Sequence, residues 1–437
     1  MPLFSFLFSL YTCKMRYYST RNKNEPVGFA KAALTGLAPD GGLYIPGDIP
    51  ELGNAVKASL GAMEYTAVAL ETIKPWVIED IPSGVLEDMV ISAYPFDAPV
   101  VKAAGRYVLE LFHGPTAAFK DFGARFMARA FSYLRRGEDK PLTILTATSG
   151  DTGGAVADGF CGIDGISVIV LYPKGRISPL QEKQIAGHGK NIKALAVEGS
   201  FDDCQRLVKQ AFKDQDLNKR LNLGSANSIN VSRLIPQIAY YVAGSGHVPE
   251  KPVFSVPSGN FGNLTAGLYA WKMGAPISRF IAATNINKTI PDYLETGKYQ
   301  ERLSRATLSN AMDVGAPSNF ERIAAHFSWE NLKDLVFGIH VNDEETRETI
   351  AEVYKKGYCL DPHSAVGWKA AERLEQKGAL DKDKATVVCT AHPAKFAETL
   401  EELDIQAPLP ASLEKVMERR VESITIKAEF EALKEQL

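Results

Sequence analysis

Cysteine is scarce in this chain. Cys13, Cys161, Cys204, Cys359 and Cys389 are the whole set among 437 residues. Their number is odd and no two have Cys-x-x-Cys spacing, which argues against a disulfide framework or a zinc site and for a reducing, cytoplasmic setting. Neither sign of charge dominates: 49 Lys plus Arg stand against 52 Asp plus Glu, a net charge of -3. The broad basic field that nucleic acid requires is missing, so no nucleic-acid partner is expected and any cationic site must be local. Long apolar runs are missing too. The stretch Leu3 to Leu10 falls far short of the roughly 20 residues that cross a bilayer. Lys14 follows it instead of preceding it, the wrong order for a secretory signal. Met15 offers a second start, so residues 1–14 are read as an extension that is either not native or a disordered tail. No internal repeat, heptad run or low-complexity block is present, and no membrane partner is expected.

Hydrophobic residues make up 45% of the chain, enough for a sizeable core, and the length exceeds one typical domain. Residues 15–98 read as mostly helical, punctuated by Ala38-Pro-Asp-Gly-Gly-Leu-Tyr-Ile-Pro46 and Ile81-Pro-Ser-Gly84, whose Gly and Pro mark turns. From residue 99 onward short apolar or β-branched runs alternate with helical stretches. Strands are expected at 106–112, 142–146, 166–172, 192–197, 253–256, 280–284 and 386–390, with helices at 201–212 and 232–242 among those between them, and a helical segment at the C-terminus. This alternation predicts an α/β fold with a largely parallel sheet. Such sheets bind ligands beyond the carboxyl ends of their strands.

Three polar loops directly follow expected strands. Thr148-Ser-Gly-Asp-Thr-Gly-Gly154 leads into a helix. Small residues admit a ligand to the backbone, the helix start offers free N–H groups and a positive dipole end, and Ser149 and Thr152 add hydroxyls. The same residue types also suit an ordinary helix cap. Pro257-Ser-Gly-Asn-Phe-Gly-Asn263 repeats the strand, glycine loop, helix order. Two such loops suggest two anionic groups to hold. Neither matches a P-loop or G-x-G-x-x-G, which disfavours a dinucleotide. The third loop, Thr390-Ala-His-Pro-Ala-Lys395, puts a hydroxyl at a strand end, where it can bond a ligand or simply finish a turn. Lys120 stands between Phe119 and Phe122. Apolar surroundings lower a lysine's pKa, and a neutral lysine can form a Schiff base with an aldehyde; a snorkelling surface lysine fits the same spacing.

Read together, the motifs resemble those of threonine synthases. HGPTAAFKDFGARF (113–126), TATSGDTGGAV (146–156), SVPSGNFGNLTAG (255–267), DVGAPSNFER (313–322), DPHSAVGW (361–368) and TAHPAKF (390–396) occur in the family's order, after Ser19-Thr-Arg21 and GLAPDGGLYIP (36–46). The resemblance implies a fold-type II enzyme of the tryptophan synthase β-like group. Its parallel-sheet subdomains would carry helices on both faces, beside a mostly helical N-terminal domain. It implies pyridoxal 5'-phosphate as cofactor and conversion of O-phosphohomoserine and water to threonine and phosphate. It further implies that Lys120 carries the cofactor and that Gly259, Asn260, Phe261, Gly262 and Asn263 cradle its phosphate through backbone N–H groups. Thr390 would bond the pyridine nitrogen, and Ser149, Asp151 and Thr152 would form the substrate-side loop. Many fold-type II relatives have Asn where Asp151 stands. Lys395, Arg322 and Lys288 are the basic residues considered for the substrate phosphate. No metal is implied, and the family's enzymes are monomers or homodimers. The competing reading is a related lyase or deaminase acting on serine or threonine.

Overall fold

The computed structural model describes residues 14–381 and 384–437, so the proposed extension lies outside the described residues except for Lys14. Thirteen strands are present among them. In chain order they are β1 (Tyr17–Ser19), β2 (Tyr44–Pro46), β3 (Val100–Ala103), β4 (Arg106–Glu110), β5 (Leu142–Ala147), β6 (Ile166–Pro173) and β7 (Ile192–Glu198). They continue as β8 (Leu223–Gly224), β9 (Val253–Pro257), β10 (Arg279–Thr284), β11 (Val336–His340), β12 (Ala385–Cys389) and β13 (Ser423–Lys427).

Two parallel sheets organise the chain. The larger runs β11-β10-β9-β12-β4-β3, with only β3 antiparallel to its neighbour; the smaller runs β13-β7-β6-β5-β8, parallel throughout. All five residues of β9 and all five of β12 are buried. Strands covered on both faces read as unbroken apolar runs, which is why the expected strands reappear here with ends displaced by a residue or two. The expectation of an α/β fold with parallel-sheet subdomains holds.

The expected C-terminal helical segment is present in part, as the helices Ala397–Glu401, Ala411–Met417 and Phe430–Lys434, but a strand interrupts it. After the helix Ala411–Met417 the chain forms β13, which pairs parallel to β7 at the sheet edge. Only Ile426 of β13 is buried, against the cluster of Leu195, Val197, Cys204 and Leu207. The run Ser423-Ile-Thr-Ile-Lys427 does alternate β-branched apolar and polar residues as a strand would, a signal that the expectation of a helical end passes over.

The N-terminal part combines the β1–β2 antiparallel ribbon with the helices Phe29–Thr35, Tyr65–Val77 and Ser83–Ala93. Its apolar residues join the main core instead of forming a separate one. Phe122, fully buried, meets Tyr65, Tyr94, Phe96 and Tyr240 with ring centroids 5.2–5.7 Å apart. These contacts bind the Tyr65–Val77 and Ser83–Ala93 helices to the helices Lys120–Leu134 and Val231–Gly246. Edge-to-face rings add about 1 kcal/mol each beyond area burial, so the helix that begins with Lys120 has a rigid backing.

Candidate active site

β9, β12 and β4 lie side by side and parallel, with Thr386 in register with both Phe254 and Tyr107. The loops that follow them therefore emerge at one end of the sheet: 258–263 after β9, 390–395 after β12 and 111–119 after β4. Three of the segments singled out in the sequence converge by topology alone.

The turn that delivers Lys120 is built on its neighbour. The Asp121 carboxylate accepts from the Thr116 N–H at 2.9 Å and from the Thr116 hydroxyl at 2.6 Å. Ala117 adopts a φ of 52°, which costs a residue with a Cβ about 1 kcal/mol. The strain is held in place from the adjacent strand end. The Phe119 N–H donates to the Thr390 carbonyl at 2.8 Å, the His392 N–H donates to the Ala117 carbonyl at 3.0 Å, and Ala118 bridges to Ala391. Lys120 and Thr390 are thus sewn together through the backbone. Thr390 is buried, and its N–H donates to Ser364 Oγ at 3.3 Å. Ser364 in turn is held by Asp361, the cap of the helix Pro362–Gln376.

The smaller sheet contributes the fourth segment. Lys120 Nζ lies 3.9 Å from Asp151 Oδ2, at the start of the helix Asp151–Phe160 after β5. Burial is the main force on Lys120 and brings its amine down to about 8; Asp151 opposes that, while Lys395 and Arg233 reinforce it. The aromatic flanks behave differently from each other. Phe119 has its ring centroid 5.8 Å from Nζ, whereas Phe122 packs into the core cluster described above. Burial by itself would raise the Asp151 carboxyl, but Lys395 and Lys120 override it and hold the group below the usual carboxylate range.

Both glycine loops leave donors unused. Among the described residues, the N–H groups of Gly259, Asn260, Phe261, Gly262, Asn263 and Leu264 have no protein acceptor, and Phe261 sits at φ 61°, ψ 11° where the loop turns into the helix Gly262–Lys272. A row of free N–H groups around a left-handed residue at a helix start is a nest for an anion. The side chains serve to fix the loop. Asn260 donates to Ser228 Oγ at 2.6 Å and accepts from the Ser318 N–H at 2.6 Å. Asn263 Oδ1 accepts from Tyr240 and Tyr241 at 2.6 and 2.7 Å, while its buried amide nitrogen has no partner among the described residues. In the other loop, the Thr148 hydroxyl takes the N–H groups of Gly150 and Gly153 at 3.0 and 2.8 Å. That leaves the N–H groups of Ser149, Asp151 and Thr152 without an acceptor among the described residues.

Of the three basic residues considered for the substrate phosphate, only Lys395 is in this region. Its buried amine donates to Asp151 Oδ1 at 2.8 Å and to the Thr116 carbonyl at 2.7 Å. Arg322 is buried elsewhere, bonded to the carbonyls of Tyr44 and Ile229 and to Asn319 Oδ1; it bolts the β1–β2 ribbon to the segment behind the 258–263 loop. Lys288 is half-buried and paired with Asp292 at 3.5 Å. Sequence reasoning overlooked Asp121, Thr116 and Gln181, whose Nε2 donates to Asp151 Oδ1 at 3.0 Å. Only the adjacency of Asp121 to Lys120 hinted at any of them. Among the described residues, no group of three or more His, Cys, Asp or Glu is arranged to hold a metal.

Comparison with known proteins agrees with this geometry. Residues 99–391 match the family model described as "Pyridoxal-phosphate dependent enzyme", 16–94 match "Threonine synthase N terminus", and 364–437 match "Threonine synthase, C-terminal". The chain is 43% identical to the threonine synthase of Escherichia coli over 96% of its own length and 98% of that protein's. The crystal structure of the Escherichia coli protein superposes with a TM-score of 0.86 at 41% identity, covering 96% of this chain and 99% of that one. The PLP-bound threonine synthase of Brucella melitensis gives 0.89 at 37% identity, covering 97% and 98%. A threonine deaminase from Solanum lycopersicum, at 15% identity and a TM-score of 0.57, shares the fold only. The chain belongs to the threonine synthase family of pyridoxal-phosphate-dependent enzymes.

Proposed function

We propose that this enzyme converts O-phosphohomoserine and water to L-threonine and inorganic phosphate, with Lys120 as the residue that carries pyridoxal phosphate. The observation that supports this most directly is Lys120 itself. Its side chain, 13% exposed, lies at the meeting point of both sheets, and desolvation brings its amine down to about 8, low enough to be partly neutral near physiological pH and to exchange protons in both directions. The residues present suit the cofactor. The free N–H groups of Gly259, Asn260, Phe261, Gly262 and Asn263 would hold its phosphate, and the Thr390 hydroxyl would serve the pyridine nitrogen. Pyridoxal phosphate supplies an electron sink for charge developing on the substrate carbons.

Lys120, once released to act on substrate, moves protons at Cα and Cβ. The substrate Cγ–O bond breaks to release phosphate, Cγ takes up a proton to become the methyl group, water adds its hydroxyl at Cβ, and Cα regains its proton. The unused N–H groups of Ser149, Asp151 and Thr152 suit the substrate carboxylate. Lys395 and Gln181 hold the Asp151 carboxylate, so that loop presents backbone donors without a free negative side chain on the same side.

The test is an assay of the purified enzyme on two substrates. Equimolar phosphate and threonine from O-phosphohomoserine are expected. Oxoacid from threonine without phosphate release from O-phosphohomoserine would instead establish the deaminase reading. The N-terminal family match at residues 16–94 favours the synthase.

We further propose a boundary at residues 98/99 between the N-terminal domain and the catalytic region. Cytoplasmic residence fits the free thiols of Cys161, Cys204, Cys359 and Cys389. The near-balanced charge fits the lack of a nucleic-acid partner, and among the described residues no helix is long and apolar enough to cross a membrane. The enzyme is a monomer or homodimer on this reading, which sedimentation equilibrium distinguishes.

A further inference from the structure

Asp151 is shared unequally between Lys395, whose side chain is fully buried, and Lys120, whose side chain keeps 13% exposure. Lys395, on the turn Pro393–Phe396 after β12, has a fully buried side chain and donates to Asp151 Oδ1 at 2.8 Å; Gln181 donates to the same oxygen at 3.0 Å. Oδ1 is thereby occupied, and Oδ2 is the oxygen that faces Lys120, at the longer distance of 3.9 Å. The Lys395 amine is fixed from its other side by the Thr116 carbonyl at 2.7 Å, which also accepts from Gln184 at 3.0 Å. Neither partner of Lys395 is able to swing away.

The remaining charges nearby do not change this division. Asp121, next to Lys120 in sequence, has both oxygens engaged by Thr116. Arg233, on the helix Val231–Gly246, adds a second repulsive cation to the surroundings of Lys120, and its Nη1 is bonded to the Ala226 carbonyl. His363 acts on Asp151 from the helix Pro362–Gln376, more weakly than either lysine. Coulomb attraction falls with distance, and the direct hydrogen bond adds to it. Among the described residues Asp151 is the carboxylate that faces both amines, and Lys395 takes the larger share of it.

We propose that Lys395 is a positioning residue for the reaction: it claims Asp151 and so leaves Lys120 short of a counter-charge, free to shed its proton. This deepens the reading that Lys120 carries the cofactor and rests on it. A residue that merely tied the turn 393–396 to its neighbours would hold the fold without setting how Lys120 titrates.

The test follows Lys120 directly. In the full-length apoenzyme, the pH dependence of Lys120 acylation is measured by mass spectrometry. In the holoenzyme, the pH profile of kcat is measured alongside. Lys395→Met gives Asp151 to Lys120 alone, so the Lys120 midpoint should rise by about one unit or more, and the acid limb of kcat should move the same way. Lys395→Arg should restore both. Asp151→Asn should move the midpoint in the opposite direction. Lys395→Gln keeps hydrogen bonds to Asp151 and Thr116 without the charge, and it carries the same expectation if the Met variant fails to fold. A folded Met or Gln variant in which Lys120 titrates at or below the wild-type midpoint overturns the proposal. Acylation reports on Lys120 whether or not it binds cofactor. Failure of the cofactor assignment is seen separately, as a Lys120→Ala enzyme that keeps its visible absorbance and activity.

Discussion

Lys120→Ala removes the amine that the buried site is arranged around. It should abolish both the visible cofactor band and essentially all turnover, read by absorbance and by phosphate release. Thr390 calls for a subtler experiment, because its hydroxyl is uncharged and can donate to a neutral ring nitrogen, whereas a carboxylate there would stabilise the protonated ring. Thr390→Asp should shift products toward oxoacid and pyridoxamine phosphate, and Thr390→Val should lose affinity or rate, measured as product partition on O-phosphohomoserine. The two glycines of the 258–263 loop should separate. A Cβ at Gly259 would lie 2.7 Å from the Ala311 carbonyl oxygen and from Met312 Cα, whereas one at Gly262 would meet the Asn319 amide at 3.3 Å. Gly259→Ala should therefore cost about 2 kcal/mol through forced backbone movement and weaken cofactor binding with it. Gly262→Ala should stay near wild type in urea midpoint. The effect at 259 comes from the segment behind the loop, which the sequence did not reveal; a glycine's neighbours across space leave no trace in its local pattern.

At the scale of elements, what the sequence made legible follows from burial. Strands such as β9 and β12, covered on both faces, leave runs like Val253-Phe-Ser-Val256, and the glycine loops after them stand out against those runs. The convergence of Lys120, Thr390 and the 258–263 loop was therefore foreseeable from parallel-sheet logic, and family resemblance supplied the roles. β13 was legible in the alternation Ser423-Ile-Thr-Ile-Lys427, but this single short run between helical stretches reads with them. Arg322 escaped because a buried arginine and a surface arginine look the same in sequence. Its role is to join elements: Arg322→Met would orphan the carbonyls of Tyr44 and Ile229 and remove the donor to Asn319 Oδ1. Losing one member of a buried polar network costs about 3 kcal/mol. A fall of that size in unfolding free energy is expected from urea titration, with the visible spectrum of the surviving folded enzyme unchanged.

Across the whole molecule, two buried groups should give the apoenzyme an uneven stability profile. Lys120 titrates at about 8 when folded and near 10.4 when unfolded. The unfolded chain binds the extra proton between those values, so stability rises with pH across that window, by about 3 kcal/mol. Burial pushes Asp121 the other way, up to about 6 despite its bonds from Thr116. The folded state then holds a proton that the unfolded chain has released, and stability falls as pH rises from about 4 to 6. In unfolding titrations relative to the wild-type apoenzyme, Lys120→Met should lose the rise between about 8 and 10.4, and Asp121→Asn should lose one falling contribution between about 4 and 6, where Asp313 contributes in the same sense and His326 in the opposite one. The strand order carries one more consequence. β12, residues 385–389, lies between β4 and β9, which are made far earlier in the chain. A nascent chain emerging N-terminus first therefore holds β4 and β9 with a vacant lane between them. Lys120 has no Thr390 carbonyl to anchor its turn until synthesis is nearly complete. If Lys120 carries the cofactor, its capture waits for residues 385–390, and a ribosome-stalled product ending before residue 385 should be unable to retain it.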